Sequence, residues 1–465
     1  MIDDLRSFAD RCRQTERGWF GTAAPLRCTR APGRLDAFGG ISDYTGGTVC
    51  EIPLDVAVRL AYQPRGDRLV RVRSLGLERH GLQAEVTVDL DELLELDYAG
   101  AQQRLGADPA AAWVRYVAGG WLVLQREGEV AAIDHGADVL IDSNVPLGAG
   151  VSSSAAMEVA ALAALAGDLG LNIEGKRLAR LGQIVENHVV GAPCGLMDQL
   201  TVTLGQADAM LVIRCQPDEI LGVEALPQGV HFGAVHTGVK HSVGGGEYTA
   251  ARVAAFMGHT ILLDHLHRNG WAAAGQDPFG GYLARVPLRD WELVYRRLLP
   301  AEMDGGEFLA RYGGTVDTAT TVDPARRYRV AAAAAHHVEE NARAPQLLAE
   351  LAAYRDDRDQ VHLNGAGALL LASHDSYRDQ VGLGAPEADL LVEIAMERGP
   401  AAGVFGAKIT GGGCGGSVAI LGDERLPDEL ERIAVEYERR SGERSQVLSR
   451  SSDGVVACGT LEVSW

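Results

Sequence analysis

The amino-acid sequence predicts an α+β fold in which helices pack on largely antiparallel sheets, in a chain of two domains. Segments that alternate apolar and polar residues predict strands, and segments with apolar residues at helical spacing predict helices. The two kinds of segment follow one another irregularly, unlike a repeating βαβ series. With 465 residues the chain exceeds one typical domain, and Pro217 and Pro227 interrupt the pattern. We therefore expect domains at 1–225 and 226–465.

The elements of the N-terminal half are predicted from spacing and from their stop signals. Residues 1–30 have the character of a charged helical leader. The last helix of this half ends at Gly-Ala-Pro, which is typical of a helix terminus. Strands are predicted at 55–65, 68–73, 137–143, 208–214 and 230–236, and helices at 113–124, 153–169 and 177–190.

The C-terminal half begins with a segment whose periodicity is weak. Residues 259–330 mix glycine, proline and single aromatic residues, so no element is predicted there. Beyond it the periodicity returns. Helices are predicted at 331–354, 386–398 and 427–440, and strands at 417–421 and 454–463.

The composition excludes several classes of function. The 43 basic and 63 acidic residues leave a net charge of −20, which repels nucleic-acid phosphates and anionic membranes. No apolar run approaches the roughly 18 residues that span a bilayer, and the charged N-terminus is unlike a secretory signal. Seven cysteines without CxxC pairs indicate reduced thiols. We therefore expect a cytoplasmic protein without a disulfide or zinc framework.

The first of three glycine-rich segments that carry chemistry is 144–158. Gly148 and Gly150 lie in a turn between a predicted strand and a predicted apolar helix, and three serines follow them. The start of a helix has unpaired N–H groups and a partial positive charge, so it favours an anion. A serine N-cap after a tight turn is the simpler alternative. The complete pattern predicts a phosphate-binding loop.

The second segment, 406–417, contains GxGxxG at Gly411, Gly413 and Gly416, which could suggest a nicotinamide-dependent oxidoreductase. A dinucleotide fingerprint opens a helix, whereas a strand-like run follows these glycines. We therefore expect the glycines to let two backbones meet beside the phosphate loop. The P-loop pattern GxxxxGK[ST] does not occur in the chain.

The third segment, 31–47, places Arg34, Asp43 and Tyr44 along a glycine-rich stretch that alone could be an ordinary hairpin. Together, the three segments resemble the signature motifs of the GHMP kinases, small-molecule kinases without a P-loop. Within that superfamily the chain is most similar to the galactokinase-type sugar 1-kinases, and among them to the arabinokinases. Segment 190–199 is similar to their catalytic segment, and 238–248, 337–343 and 372–379 are similar to further galactokinase segments.

The resemblance implies a ribosomal-protein-S5-like N-terminal domain, a ferredoxin-like C-terminal domain and an active site between them. It implies that Asp198 faces the anomeric hydroxyl of a sugar, with Arg34 beside it. Whether Asp198 abstracts the proton or only orients the hydroxyl stays open. The substrate-binding residues that it implies are Arg34, Asp43, Tyr44, Gly195, Asp198 and Tyr248.

ATP and Mg²⁺ are the further small molecules that the resemblance implies. Trp113 resembles the residue that stacks on adenine, with a buried core tryptophan as the alternative. Ser154 and Glu186 are the implied metal ligands, since Mg²⁺ prefers oxygen. The other implied ATP-binding residues are Pro146, Gly148, Gly150, Ser152, Ser153, Lys408, Gly411 and Gly412.

One departure from galactokinases bears on the substrate. In the segment that corresponds to 31–47, galactokinases carry Glu and His, which face the C6 end of the hexose. This chain has Gly40 and Ile41 at those positions. A site that cannot pair a buried hydroxyl disfavours the sugar that carries it. We therefore expect L-arabinose, with galactose and L-fucose as alternatives and a non-catalytic sugar sensor as a more remote one. The expected partners are the sugar and ATP, and the expected state is a monomer or weak homodimer.

Overall fold

A computed structural model describes residues 2–16, 18–22, 24–239 and 246–464 of the chain. Its strands are β1 (Leu26–Phe38), β2 (Thr48–Pro64), β3 (Leu69–Ser74), β4 (Glu85–Asp89), β5 (Ala137–Ser143), β6 (Ala209–Arg214), β7 (Glu219–Ala225), β8 (Val230–His236), β9 (Met303–Asp304), β10 (Arg327–Tyr328), β11 (Val404–Ile409), β12 (Ser417–Asp423), β13 (Gln446–Leu448) and β14 (Leu461–Val463). Its helices are α1 (Ile2–Thr15), α2 (Leu90–Glu95), α3 (Tyr98–Leu105), α4 (Arg115–Arg126), α5 (Ser153–Asp168), α6 (Gly175–Ile184), α7 (Met197–Leu204), α8 (Gly246–Arg268), α9 (Leu288–Leu293), α10 (Gly305–Tyr312), α11 (Val330–Asp357), α12 (Gln360–Ser376), α13 (Pro386–Arg398), α14 (Leu426–Ser441) and α15 (Val455–Cys458).

The larger sheet has the strand order β14-β1-β2-β5-β3-β4, and β6 and β7 extend it from β2. Its pairings are antiparallel except for β3 with β5, so the prediction of a largely antiparallel sheet is confirmed. The β1–β2 pairing shifts register between Pro32 and Arg34 and again between Asp36 and Phe38. Such bulges bend a strand and redirect its side chains. They lie where β1 carries the charged residues of the glycine-rich segment 31–47.

The smaller sheet has the order β11-β12-β8-β13 and is antiparallel throughout. Helices α12, α13 and α14 pack on it. Its inner face is apolar, and residues such as Ile409, Ile420 and Leu430 are completely buried in one cluster. The strand β12 follows directly on the glycines of the segment 406–417, so this sheet holds that segment rigidly.

Helix α5 lies in the middle of the N-terminal part. It contacts β1 and β2 on one side and α4, α6 and α7 on others. A helix that is covered on all sides is apolar nearly all round, which explains its richness in alanine, leucine and valine, with Glu158 as a buried charged residue among them. Its packing fixes the position of its first turn, where the serine residues of the phosphate loop lie.

Several elements have the bounds that were predicted from the sequence, among them the strands at 137–143 and 230–236 and the helix at 386–398. The single strand predicted at 454–463 is wrong, because Gly459 has φ +68° and separates α15 from β14. The helical leader predicted at 1–30 ends at Thr15, and β1 already begins at Leu26. In 259–330, where no element was predicted, α8 continues and α9, β9, α10 and β10 follow.

The chain passes from the larger to the smaller sheet between β7 and β8, close to the predicted boundary at 225/226. The strand β14 nevertheless returns to the larger sheet and pairs with β1. The division into two domains at that residue stays a prediction. Among the described residues, no helix is both long and apolar enough to cross a membrane.

Candidate active site

A cavity of about 650 Å³ brings the three glycine-rich segments together with the segment before α7 and the first turns of α8. Its walls combine charged groups, serine hydroxyls and glycine backbone. The lining residues are Arg34, Ile41, Asp43, Arg115, Tyr116, Gly148, Gly150, Val151, Ser152, Ser153, Ser154, Glu186, Val190, Gly191, Ala192, Pro193, Cys194, Gly195, Met197, Asp198, Tyr248, Thr249 and Gly412.

An ion pair between Arg34 and Asp198 lies in the cavity wall. Arg34 follows the first bulge of β1, and Asp198 lies in the first turn of α7. The Arg34 side chain is 3% exposed and that of Asp198 is 20% exposed, so the carboxylate is the member that a ligand can reach. Arg34 Nη1 also donates a hydrogen bond of 3.1 Å to the carbonyl of Gly150, and its Nε lies 3.2 Å from Glu51 Oε2. One guanidinium therefore joins the catalytic candidate to the phosphate loop.

The charge of Arg34 is maintained although the group is buried. Burial lowers its pKa, but Asp198 and Glu51 raise it by more, so the net shift is upward. Burial raises the pKa of Glu51 well above its usual range. Arg34 thus stays cationic at any physiological pH and can stabilise negative charge next to Asp198.

The phosphate loop has the backbone that an anion site requires. Gly148 and Gly150 both have φ +73°, and Ser152 has φ 61°, which are left-handed conformations of the kind found in anion-binding concavities of backbone N–H groups. The helix α5 begins at the next residue. The Ser152 hydroxyl is buried without a hydrogen-bond partner in the described part of the chain. Pro146 does not line the cavity, whereas the two glycines and three serines of the loop do.

The glycines of 406–417 meet the phosphate loop at the expected close distance. A Cβ at Gly411 would lie 2.8 Å from the carbonyl oxygen of Gly150, and one at Gly416 would lie 2.7 Å from that of Ala149. The Ser417 hydroxyl donates a 2.8 Å hydrogen bond to Ala149. The prediction that two backbones meet here is confirmed. Gly412 lines the cavity, while Gly411 lies behind it.

Lys408 does not point toward the cavity, contrary to the expectation that it binds ATP. Its ammonium lies 2.7 Å from Asp36 Oδ2, and both side chains are completely buried. The Asp36 carboxylate also accepts hydrogen bonds from the backbone N–H groups of Gly40 and Gly411. Lys408 therefore neutralises a buried carboxylate that ties the segment 31–47 to the segment 406–417. A local sequence pattern does not reveal a partner 372 residues away.

Trp113 is buried in the core, whereas stacking on adenine was predicted for it. Its indole is 7% exposed, belongs to the main apolar cluster and donates a 2.8 Å hydrogen bond to the Gln83 carbonyl. This geometry favours the alternative of a core tryptophan over adenine stacking. Arg115 and Tyr116, two and three residues further on, line the cavity instead. Neither residue was predicted as a site residue from the sequence, although both lie within three positions of Trp113.

Asp43, Gly195 and Tyr248 form the wall across from the phosphate loop. Burial and the neighbouring Asp198 raise the pKa of Asp43 to about 7. A Cβ at Gly195 would lie 1.8 Å from Asp43 Oδ2, so a side chain there would displace the carboxylate. Tyr44, predicted to bind substrate, does not line the cavity: its ring packs behind the wall, at 6.1 Å from the Tyr248 ring. In the segment 238–248, residues 240–245 lie outside the described residues.

Ser154 and Glu186 form the pair in which a magnesium ion was expected. Burial and Asp198 raise the pKa of Glu186, and hydrogen bonds from Ser154, Cys194 and Gln199 oppose that shift. The Gln199 amide donates to Glu186 at 2.6 Å, and to Glu158 behind it at 3.1 Å. One carboxylate and one hydroxyl beside an anion site fit Mg²⁺, which takes one or two carboxylates and completes its shell with phosphate and water. The described residues contain no cluster of three or more His, Cys, Asp or Glu that could hold a metal.

Ile41 lines the cavity, whereas the neighbouring Gly40 does not. A Cβ at Gly40 would lie 1.8 Å from the Tyr377 hydroxyl oxygen, so this hydroxyl fills the space of a side chain at position 40. The hydroxyl accepts a 2.9 Å hydrogen bond from the backbone N–H of Ile41 and donates one of 2.9 Å to the Gly411 carbonyl. The Ile41 side chain lines the cavity and supplies an apolar surface there.

The two-sheet fold, with a glycine-serine loop at the start of a buried helix, defines a phosphate-binding protein of a class distinct from the P-loop proteins. Family models for the GHMP kinase N-terminal and C-terminal domains match residues 115–206 and 360–438. Over 97% of its length the chain is 34% identical to an L-arabinokinase of Arabidopsis thaliana, and it spans 48% of that protein. Over 93% of its length it is 32% identical to a galactokinase of Chloroflexus aggregans, and it spans 94% of that protein. The chain belongs to the GHMP kinase family.

Solved structures share the fold at lower identity. A Lactococcus lactis galactokinase complexed with galactose superimposes with a TM-score of 0.73 at 21% identity, covering 97% of this chain and 98% of that one. A mevalonate kinase of Methanococcus jannaschii superimposes with a TM-score of 0.56 at 15% identity, covering 91% and 98%. The predicted two-domain GHMP kinase fold is thereby confirmed.

Proposed function

We propose that the protein transfers the γ-phosphoryl group of ATP to the anomeric hydroxyl of a monosaccharide, with L-arabinose as the substrate. The observation that carries the proposal is the Arg34–Asp198 pair, which shares one cavity with the phosphate loop. Phosphoryl transfer to a hydroxyl needs a positioned acceptor, a site for the acceptor's proton and positive charge around the transferred group. The cavity offers a group for each of these tasks.

ATP phosphates fit against the start of α5, where the loop serines line the cavity and the buried Ser152 hydroxyl has no hydrogen-bond partner among the described residues. Ser154 and Glu186 would hold Mg²⁺, which shields the charge of the phosphates when it is bound. Asp198 accepts a hydrogen bond from the sugar hydroxyl and orients it toward the phosphorus atom. It either takes the proton early or receives it as the bond forms. Arg34 forms an ion pair with Asp198 and stabilises the charge that develops on the transferred group.

The apolar surface that Ile41 gives to the cavity supports L-arabinose as the substrate. L-Arabinose has the ring stereochemistry of galactose without its exocyclic CH₂OH. A 6-hydroxyl against the Ile41 side chain would find no partner there, which costs about 1–3 kcal/mol. That penalty corresponds to roughly a five- to 150-fold lower kcat/KM for galactose. The similarity to a protein named L-arabinokinase points in the same direction.

Galactokinase activity is the second candidate. It is supported by the relative from Chloroflexus aggregans, whose length the chain spans almost entirely. L-Fucose, a 6-deoxy sugar, also avoids the unpaired hydroxyl and is a third sugar to compare. L-Arabinose and D-galactose differ only in the exocyclic CH₂OH, so the same cavity chemistry serves both, whereas L-fucose has the mirror-image ring of D-galactose.

The direct test combines an ADP-release assay with ³¹P NMR of the product. We expect phosphate on the anomeric carbon, and Asp198→Asn should lower kcat by about 10²–10⁴-fold at unchanged thermal stability. The matched control is Asp356→Asn, which neutralises an exposed carboxylate on α11 and should leave kcat unchanged. A product phosphorylated at another hydroxyl, or a fully active Asp198→Asn variant, would contradict the proposal.

A further inference from the structure

An ion pair behind the sugar side of the cavity joins α8 to the segment in which the sequence predicted no element. Arg252 lies one turn after Tyr248 on α8, and Asp317 lies between α10 and β10. The guanidinium donates two hydrogen bonds to the carboxylate, of 2.9 Å from Nε and 2.8 Å from Nη2. The side chains are 9% and 3% exposed. This two-point geometry fixes the plane of the guanidinium.

The other contacts of Arg252 lead to the cavity wall. Its guanidinium carbon lies 4.9 Å from the centre of the Tyr44 ring and 5.7 Å from that of Phe256. Its Nη1 donates a 3.4 Å hydrogen bond to the carbonyl of Pro193, which lines the cavity. Arg252 itself does not line the cavity. It therefore contacts both the residue after Asp43 and the segment that leads to Gly195.

The charge of Arg252 also acts on Asp43. Burial and Asp198 raise the pKa of Asp43, whereas Arg252 and Arg34 lower it. Asp317 in turn is held by the Thr320 hydroxyl, which donates at 2.6 Å, and by the Ala319 N–H at 3.1 Å. Burial raises the pKa of Asp317, but hydrogen bonds from Arg252 and Thr320 oppose this, and the net shift is downward. Both members of the pair are therefore charged.

We propose that the Arg252–Asp317 pair positions the sugar-binding wall, so that the segment between α10 and β10 sets the affinity for the sugar without touching it. The inference rests on the proposed function, because it assumes that the Asp43 wall receives the sugar. Asp317 fixes the guanidinium, and the guanidinium fixes Tyr44 and the Pro193 carbonyl. Neither residue approaches the phosphate loop, so the pair acts on sugar binding and leaves ATP binding alone.

The test is Asp317→Asn, which preserves shape and removes the charge. We expect the KM for the sugar to rise about tenfold, as does its Kd measured by calorimetry without ATP, since hydrogen bonds between charged groups are lost. The kcat and the KM for ATP should stay unchanged. The control Glu302→Gln removes a carboxylate from the exposed Arg327 ion pair of the same segment and should change none of these quantities. An unchanged sugar KM and Kd in Asp317→Asn would overturn the inference.

A second variant keeps the test decisive if Asp317→Asn is unfolded at the assay temperature. Arg252→Lys retains the charge but loses the two-point contact and the stacking on Tyr44. We expect the same rise in sugar KM and Kd with kcat unchanged, and a wild-type sugar KM and Kd would overturn the inference. If the wild-type protein transfers phosphate to no sugar, the proposed function is overturned. If the wild type is active and the variants have the wild-type sugar KM and Kd, only the positioning role of the pair is overturned.

Discussion

The contact between Gly411 and the phosphate loop leads to a prediction with a built-in control. In Gly411→Ala the new Cβ would lie 2.8 Å from the Gly150 carbonyl oxygen and 3.4 Å from Arg34 Nη1. Gly411 also has φ +63°, a conformation that costs an alanine about 1–2 kcal/mol. Gly275 has φ +77° but has nothing within 4 Å of its Cβ position. Gly275→Ala therefore carries the backbone strain without the contact.

The difference between the two variants measures the close approach of the backbones. Overpacking against a fixed backbone costs about 1–3 kcal/mol in addition to the backbone strain, so Gly411→Ala should lose about 2–5 kcal/mol of unfolding free energy and Gly275→Ala about 1–2 kcal/mol. The displaced Gly150 carbonyl also carries the hydrogen bond from Arg34. We therefore expect kcat/KM for ATP to fall about tenfold or more in Gly411→Ala and to be unchanged in Gly275→Ala.

Urea denaturation and initial-rate kinetics at varied ATP check these values. We expect Gly411→Ala and Gly275→Ala to differ both in unfolding free energy and in kcat/KM for ATP. If Gly411→Ala matched Gly275→Ala in unfolding free energy and in kcat/KM for ATP, the two backbones would not depend on their close packing. The glycines of 406–417 would then need another explanation.

The remaining predictions concern single charged groups. Lys408→Met leaves the buried Asp36 without its cation, so thermal denaturation should show a loss of about 3–5 kcal/mol, with the KM for ATP unchanged in the folded protein. A large rise in that KM at wild-type stability would restore Lys408 as an ATP ligand. With its pKa at about 7, Asp43 is ionised above that pH, so kcat/KM for the sugar should rise with pH through about 7 and be about tenfold below its plateau at pH 6. A profile that is flat from pH 6 to 8 would contradict the role of Asp43. Glu186→Gln should weaken Mn²⁺ binding, followed by electron paramagnetic resonance with ATP present, by about tenfold or more. Unchanged Mn²⁺ affinity would remove Glu186 from the metal site.

The parts of the site that the sequence predicted are those in which a local pattern carries the chemistry. The phosphate loop is one continuous segment in which glycine, serine and an apolar helix follow in order, so its structure is set by neighbours in sequence. The approach of 406–417 to that loop could be predicted because only a close backbone contact explains so many glycines before a strand.

The predictions that the structure does not support depended on long-range partners. Lys408 pairs with Asp36 on β1, and Trp113 points toward the core because of the turn before α4. Tyr44 packs under Arg252, whose partner Asp317 lies in a segment without clear periodicity. Burial and tertiary pairing decide which of several adjacent polar residues faces a cavity, and neither is encoded in spacing along the chain.

The ratio of kcat/KM for L-arabinose to that for D-galactose shows which sugar the cavity selects. The measurement uses the wild-type protein, saturating ATP with Mg²⁺ and an ADP-release assay, with L-fucose as the third sugar. Because Ile41 offers no partner to a 6-hydroxyl, we expect kcat/KM for L-arabinose to exceed that for galactose by roughly five- to 150-fold. A ratio of one or below would contradict this expectation and favour a galactokinase.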